Sequence, residues 1–223
     1  MKKIALYLFG ALALAACNNG YKIEGTTDKI FEGLNAQLIN VNTRDTLGEC
    51  IIKNNSFSFE GNIAEPEVFK VKIEYFNKDF VVEPNSNIEI DLTTPQVKVK
   101  DNGGLNDKAY SIDQELENRT TELHSQYNEL VKKVKDGELQ EDTLYHFGNY
   151  ILGELKTIYK KSIADNKDNI LGAHLLSTYA IRKKLYNDLE SLDSVMQAVK
   201  YSGKMQALKF LREDLEREKA NNK

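Results

Sequence analysis

The apolar residues of this chain keep a period of two up to about residue 100 and a period near four from Ser111 onward. A side chain repeating every second position belongs to a half-buried strand; one repeating at three and four belongs to one face of a helix. Tyr21 and Ile23 alternate with Lys22 and Glu24 ahead of Gly25, and Leu38 to Val41 form a short apolar run. Phe57 and Phe59 alternate with Ser56, Ser58 and Glu60; Phe69, Val71, Ile73 and Tyr75 alternate with Lys70, Lys72 and Glu74. Phe80 to Val82, then Ile88, Ile90 and Leu92, then Val97 and Val99 continue the pattern, and Pro66, Pro84 and Pro95 all fall in this half. About seven short strands at regular spacing predict an antiparallel β-sandwich.

Turn chemistry separates the strands. Asn54-Asn55 tolerates positive φ and predicts a tight hairpin before the Phe57 strand. Pro84-Asn85-Ser86-Asn87 predicts a second turn, with Pro84 fixing φ.

From Ser111 a helical region follows. Ser111 and Gln114 have capping-box spacing, and Ile112, Leu116, Leu123, Tyr127, Leu130 and Val134 share a face up to Gly137. Leu144, Phe147, Ile151, Leu155, Ile158 and Tyr159 predict a second helix, and Leu171, Leu175, Leu176 and Tyr179 a third. Leu189, Leu192, Val195, Met196 and Val199 define a fourth, and Met205, Leu208, Leu211 and Leu215 a fifth. The expected class is α+β: an N-terminal antiparallel β-sandwich followed by a small α-helical bundle.

The front of the chain has the layout of a cleaved export signal: Lys2-Lys3, an apolar stretch from Ile4 to Leu14, then small residues at Ala15-Ala16. The stretch is shorter than the roughly 20 apolar residues that span a bilayer. Leu14-Ala15-Ala16-Cys17 resembles the lipobox of bacterial lipoproteins. That resemblance implies cleavage before Cys17 and acylation of its thiol and new amino terminus. The expected organisation is a signal peptide over 1–16, a lipidated N-terminus and linker over 17–20, a sandwich over 21–110, a helical domain over 111–219 and a tail over 220–223.

Removing the signal takes two of the 30 basic residues and leaves 28 against 34 acidic ones. That balance argues against nucleic acid and against a polybasic membrane-binding surface. With Cys17 acylated, Cys50 is the only thiol left, which excludes an intramolecular disulfide, a CxxC pair and a cysteine-based zinc site. Its neighbours Ile51 and Ile52 predict a buried strand position for it. His124, His146 and His174 lack the helical spacing of a metal site, and no nucleophile elbow, dinucleotide turn or phosphate loop occurs. The chain is therefore expected to be non-catalytic, with no cofactor and no metal.

Residues 21 to about 110 resemble the N-terminal domain of unknown function of lipoproteins from the Bacteroidetes. The resemblance rests on Tyr21-x-Ile23-x-Gly25, Asp45-Thr46, Asn55-x-Phe57-x-Phe59-x-Gly61, Pro66, Val82-x-Pro84 and Gly104-x-Asn106. The helical part, with Asn166-Lys167-Asp168-Asn169 before Gly172, is similar to the segment that follows in those proteins. In them a thioredoxin-like domain with a CxxC site comes next; here the sequence stops at Lys223, where that domain would begin. No catalytic residue is carried over. Asp45-Thr46-Leu47, Asp142-Thr143-Leu144 and Asp193-Ser194-Val195 resemble the O-glycosylation sequon of that phylum, which makes Thr46, Thr143 and Ser194 candidate sites; helix capping is the rival explanation.

Two functions are expected from these readings. One is a membrane-anchored envelope lipoprotein that binds a protein partner or a ligand. The other is an accessory or truncated relative of a thiol-disulfide oxidoreductase, docking to a thioredoxin-like partner. The expected partners are the membrane, through the lipid on Cys17, an envelope protein, and a second copy of the chain as a homodimer. Surface-exposed lipoproteins of that phylum tend to carry an acidic run just after the acylated cysteine; Asn18-Asn19-Gly20-Tyr21-Lys22 has none, so the resemblance implies an outer-membrane anchor facing the periplasm.

Overall fold

The computed structural model describes residues 19–94, 97–183, 185–186 and 188–221. Eight strands precede five helices: β1 (Gly20–Thr26), β2 (Asn35–Asn40), β3 (Thr46–Ile51), β4 (Ser56–Asn62), β5 (Glu67–Ile73), β6 (Phe76–Val82), β7 (Asn87–Asp91), β8 (Lys98–Lys100), α1 (Leu105–Lys135), α2 (Asp142–Asp165), α3 (Ile170–Lys183), α4 (Leu189–Ala198) and α5 (Gln206–Asn221).

The strands form two four-stranded sheets, ordered β4-β1-β7-β8 and β3-β2-β5-β6. Their inner faces bury Ile23, Leu38, Phe57, Phe59, Phe69, Val71, Ile88 and Ile90 in one core. The period-two residues are therefore the ones that point inward, as alternation across a pleated strand requires. The pairing departs from an all-antiparallel sandwich at one ladder, since β1 and β7 run parallel with Ile23 opposite Ile88. Tyr75 also departs from its predicted strand. β5 ends at Ile73, which pairs with Phe76, and a two-residue turn leaves Tyr75 at its tip, 97% exposed, beside Glu74 at φ 48°.

Both predicted turns form. Asn54 and Asn55 have φ of 54° and 56°, the double positive φ of a type I′ hairpin, and Lys53 and Ser56 exchange backbone bonds of 3.1 Å across them. The Glu32 carboxylate accepts from both turn amides, at 3.0 and 2.8 Å. Ser86 donates to the Glu83 carbonyl at 3.1 Å over Pro84-Asn85, and Asn85 has φ 66°, as position i+2 of a type II turn demands.

A second core lies between the helices and the outer side of β5 and β6. Val68 and Val81 point away from the sandwich interior and join Leu116, Tyr159, Ile163, Leu171, Leu176 and Leu208 there. The helix predicted from Ser111 begins at Leu105, two turns earlier. Ser111 is thus inside the helix, and its hydroxyl donates to the Asp107 carbonyl instead of capping. Those first turns carry Asn106, whose amide is spent on the sheet. It accepts from the Val81 amide at 2.9 Å and donates to the Val81 carbonyl at 2.8 Å.

β6 is an edge strand, and Val81 faces Val68 in a pair whose β5 member turns its carbonyl to Val41 on the other side. The Val81 peptide groups therefore face the open edge, and Asn106 closes it as a strand would. Asp101 holds that amide from behind, accepting from its side chain and from its backbone N–H at 2.9 Å each. Gly137, at φ 76°, ends α1 in a Schellman motif, with Glu138 donating to the Lys133 carbonyl at 2.9 Å.

The expected motif before Gly172 is the α2–α3 turn. Asn166 donates to the Ser162 carbonyl at 2.9 Å, and the Asn169 side chain accepts from the Leu171 and Gly172 amides. A Cβ on Gly172 would lie 2.1 Å from the Asn166 carbonyl oxygen. Among the described residues no helix is long and apolar enough to cross a membrane.

Candidate interaction surface

α1 and α2 form an antiparallel pair that outruns the rest of the bundle, because α3 has 14 residues and α2 has 24. At the base, α3 covers α2: the Tyr159 and Tyr179 rings lie 4.1 Å apart, and Ile163 is fully buried. Beyond the end of α3 the pair stands as a two-helix arm. Leu123 is its one fully buried side chain, with Tyr127 stacked on Phe147 at 6.5 Å. Arg119 ties the two helices together, its guanidinium donating to Glu154 at 2.5 Å, to Glu122 at 2.8 Å and to the Tyr150 hydroxyl at 3.3 Å. Those two carboxylates push its pKa upward, Glu154 first.

Tyr145, Leu152 and Tyr159 are spaced by seven residues, which in a helix returns each to nearly the same face. Tyr159 is covered by α3. Tyr145 and Leu152 continue the same face past the end of α3 and are 71% and 67% exposed. Gly148, between them, has open space where a Cβ would be. An apolar stripe that is core at one end of a helix and bare at the other is a surface shaped for another protein. The periodicity of α2 picked out Leu144, Phe147, Ile151 and Leu155, the stripe against α1, and missed Tyr145 and Leu152. The seven-residue spacing to Tyr159 was the available signal.

A cleft of about 430 Å³ runs between sandwich and bundle, lined among others by Lys78, Asp79, Asn106, Asp113, His174 and Tyr179. Tyr179 donates to Asp113 at 3.3 Å, Lys78 pairs with the same carboxylate at 3.6 Å, and Asp79 pairs with Lys70 at 3.5 Å. These charges bind β6, α1 and α3 to one another, and the cleft is a joint. Lys204 adds a second clamp, 2.6 Å from Glu65. Burial pushes up the Tyr159 phenol behind the cleft, with the Asp113 charge adding to it.

The residues singled out in the sequence are scattered. Cys17 lies outside the described residues. Thr46 opens β3 and is exposed, Thr143 is half-buried in the first turn of α2, and Ser194 is exposed in α4. They share no surface. Cys50 is in strand β3 as expected but only half-buried, and Ile51 turns outward, 50% exposed, while Ile52 is buried. Burial raises the Cys50 thiol pKa, the opposite of what a nucleophile needs. His124 and His146 are exposed on the arm, and His174 lines the joint. Among the described residues no group of three or more His, Cys, Asp or Glu side chains could hold a metal ion.

No curated protein and no solved structure matches the chain. One family model does, and its limits coincide with the sandwich plus the first turns of α1, including Asn106. Residues 21–110 are a domain of unknown function, DUF4369.

Proposed function

We propose that this protein is a non-catalytic lipoprotein of the cell envelope, anchored through Cys17, whose helical arm is its binding surface. The bare continuation of the α3-binding face, Tyr145 and Leu152, carries the reading. The front of the chain supports the anchor. Only Asn18 and Asn19 separate Cys17 from β1 at Gly20, a leash of about 10 Å at ~3.5 Å per residue, so a lipid there would hold the sandwich against the bilayer.

Two measurements test it. Metabolic labelling with a fatty-acid analogue should mark the wild-type chain and leave Cys17→Ser unmarked; an unlabelled wild type removes the anchor. A photo-crosslinking residue at position 145 should give a discrete adduct in cells, lost when Leu152→Glu is added. The same residue at position 75, which is still more exposed, should give none. No adduct at 145, or the same adduct from 75, overturns the arm as binding surface. Recovery of a thioredoxin-like lipoprotein in the adduct would move the protein to the accessory reading.

A further inference from the structure

The stripe on α2 continues beyond its apolar pair in both directions. Glu141, Tyr145, Gly148, Leu152 and Lys156 follow one another at intervals of three or four residues, which keeps them on one side of the helix. Acid stands at one end and base at the other, and the apolar residues lie between them. The spacing is symmetric about a point between Gly148 and Asn149. Glu141 and Lys156 are equally far from it, and so are Tyr145 and Leu152. Among the described residues neither Glu141 nor Lys156 has an ion-pair partner within the chain.

We infer that this face pairs with a second copy of the same chain, α2 against α2 in antiparallel orientation about a two-fold axis between Gly148 and Asn149. The inference rests on the reading of the arm as a binding surface and names the partner. Antiparallel pairing sets Tyr145 of each copy on Leu152 of the other and Glu141 of each opposite Lys156 of the other. Every contact then occurs twice, as an isologous interface requires. Parallel pairing would oppose Glu141 to Glu141 and Lys156 to Lys156. Gly148 stands beside the axis, opposite Asn149 of the other copy, and the space left by its missing Cβ permits close approach of the two helices. The stripe is about 22 Å long at 1.5 Å per residue. It therefore makes an interface at the small end of the specific range, a reversible dimer rather than an obligate one. Membrane anchoring of both copies would raise its occupancy by raising their effective concentration.

Charge reversal in the full chain, purified in mild detergent and followed by sedimentation velocity over a concentration series, tests the pairing. Wild type should show a monomer–dimer equilibrium. Glu141→Lys alone and Lys156→Glu alone should each weaken it by roughly tenfold, since each opposes like charges twice. An equimolar mixture of the two variants should recover wild-type association, because every opposed pair is again of opposite sign. Leu152→Glu should be monomeric, with circular dichroism of all variants matching wild type.

Three results overturn the inference: a wild type that is monomeric throughout, a dimer indifferent to the charge variants, or weakened variants that the mixture does not rescue. The binding reading has a separate fate. A monomer in solution whose position 145 still crosslinks to a different protein ends the dimer and keeps the arm as a docking surface. A monomer without any adduct ends both.

Discussion

Tyr21 and Gly61 face each other across the β1–β4 ladder, and the phenol ring lies so close over the glycine that a Cβ there would come 2.5 Å from the hydroxyl oxygen. The same device recurs in reverse on the same ladder. Gly25 faces Phe57, whose ring would be 2.0 Å from a Cβ on Gly25, and Ile23 faces Phe59 between the two pairs. Tyr21-x-Ile23-x-Gly25 and Phe57-x-Phe59-x-Gly61 are therefore two sides of one antiparallel register. An aromatic ring laid over a glycine gives buried contact where a strand glycine has none of its own.

Gly25→Ala should cost ~1–3 kcal/mol, the range for overpacking a filled interior. Phe57 cannot swing clear, being 5% exposed and packed 5.9 Å from Phe59. Adding Phe57→Val should make the double variant less unstable than the sum of the singles, because the two positions share one volume. Urea denaturation of the four proteins measures this, and strict additivity would refute the ring-over-glycine account.

Asn106 should be the most sensitive polar residue of the sandwich. It is 2% exposed, and its amide is the partner of both Val81 peptide groups. Asn106→Leu leaves two buried backbone groups unpaired, at ~1–3 kcal/mol each. Asn106→Asp should fail as well, since a carboxylate cannot donate to the Val81 carbonyl and would stand beside Asp101. Hydrogen exchange should show the Val81 amide losing protection first. Unchanged exchange at Val81 would mean that the edge is held some other way.

Gly172→Ala should destabilise the bundle by ~1–3 kcal/mol or more, because the obstacle is the Asn166 backbone rather than a movable side chain. The Lys200 amide donates to the adjoining Lys167 carbonyl at 2.7 Å, so the shift should reach the segment after α4. Loss of helical signal on heating, with the strand signal retained at the same temperature, is the expected readout.

These cases show where the sequence speaks for the fold. Strand alternation and the Asn54-Asn55 turn act between neighbours in the chain, and both appear in the structure as read except at Tyr75, where a turn ends the alternation. The parallel β1–β7 ladder depends on which distant strand lies beside β1, which alternation does not encode. The early start of α1 was hidden because Asn106 breaks the apolar pattern; a buried asparagine reads as a turn until its partner at Val81 is known. The arm was hidden for a different reason. Tyr145 and Leu152 look like core residues by spacing, and only the length of α3 decides that they are bare.

Asp188 caps α4, its carboxylate accepting from the Ser191 amide at 2.7 Å. That hydrogen bond holds its pKa below the ordinary carboxylate value. A depressed carboxyl contributes stability above its unfolded pKa of about 3.9 and loses it as pH falls through the lower folded value. Wild type should therefore lose stability relative to Asp188→Asn as pH drops below ~4, since asparagine keeps the cap and does not titrate. Denaturation midpoints of the two proteins from neutral to acid pH should converge or cross; parallel curves would remove Asp188 from the account.

Leu123 decides whether the arm is an independent unit. It is fully buried, whereas the arm's other apolar contacts, Tyr127, Phe147 and Ile151, are only partly covered. Leu123→Ala costs ~2–5 kcal/mol where the site cannot collapse. A two-helix pair with one buried anchor has little stability to spare, so the arm should open locally while both cores persist. Hydrogen exchange should rise over roughly residues 119–153 and stay unchanged in β5 and α3. The Arg119–Glu154 pair closes the base of the arm, and exchange should fall back to wild-type rates on its bundle side. Global unfolding at the wild-type arm rate would instead make arm and bundle one cooperative unit, and the surface at Tyr145 would then be as rigid as the sandwich.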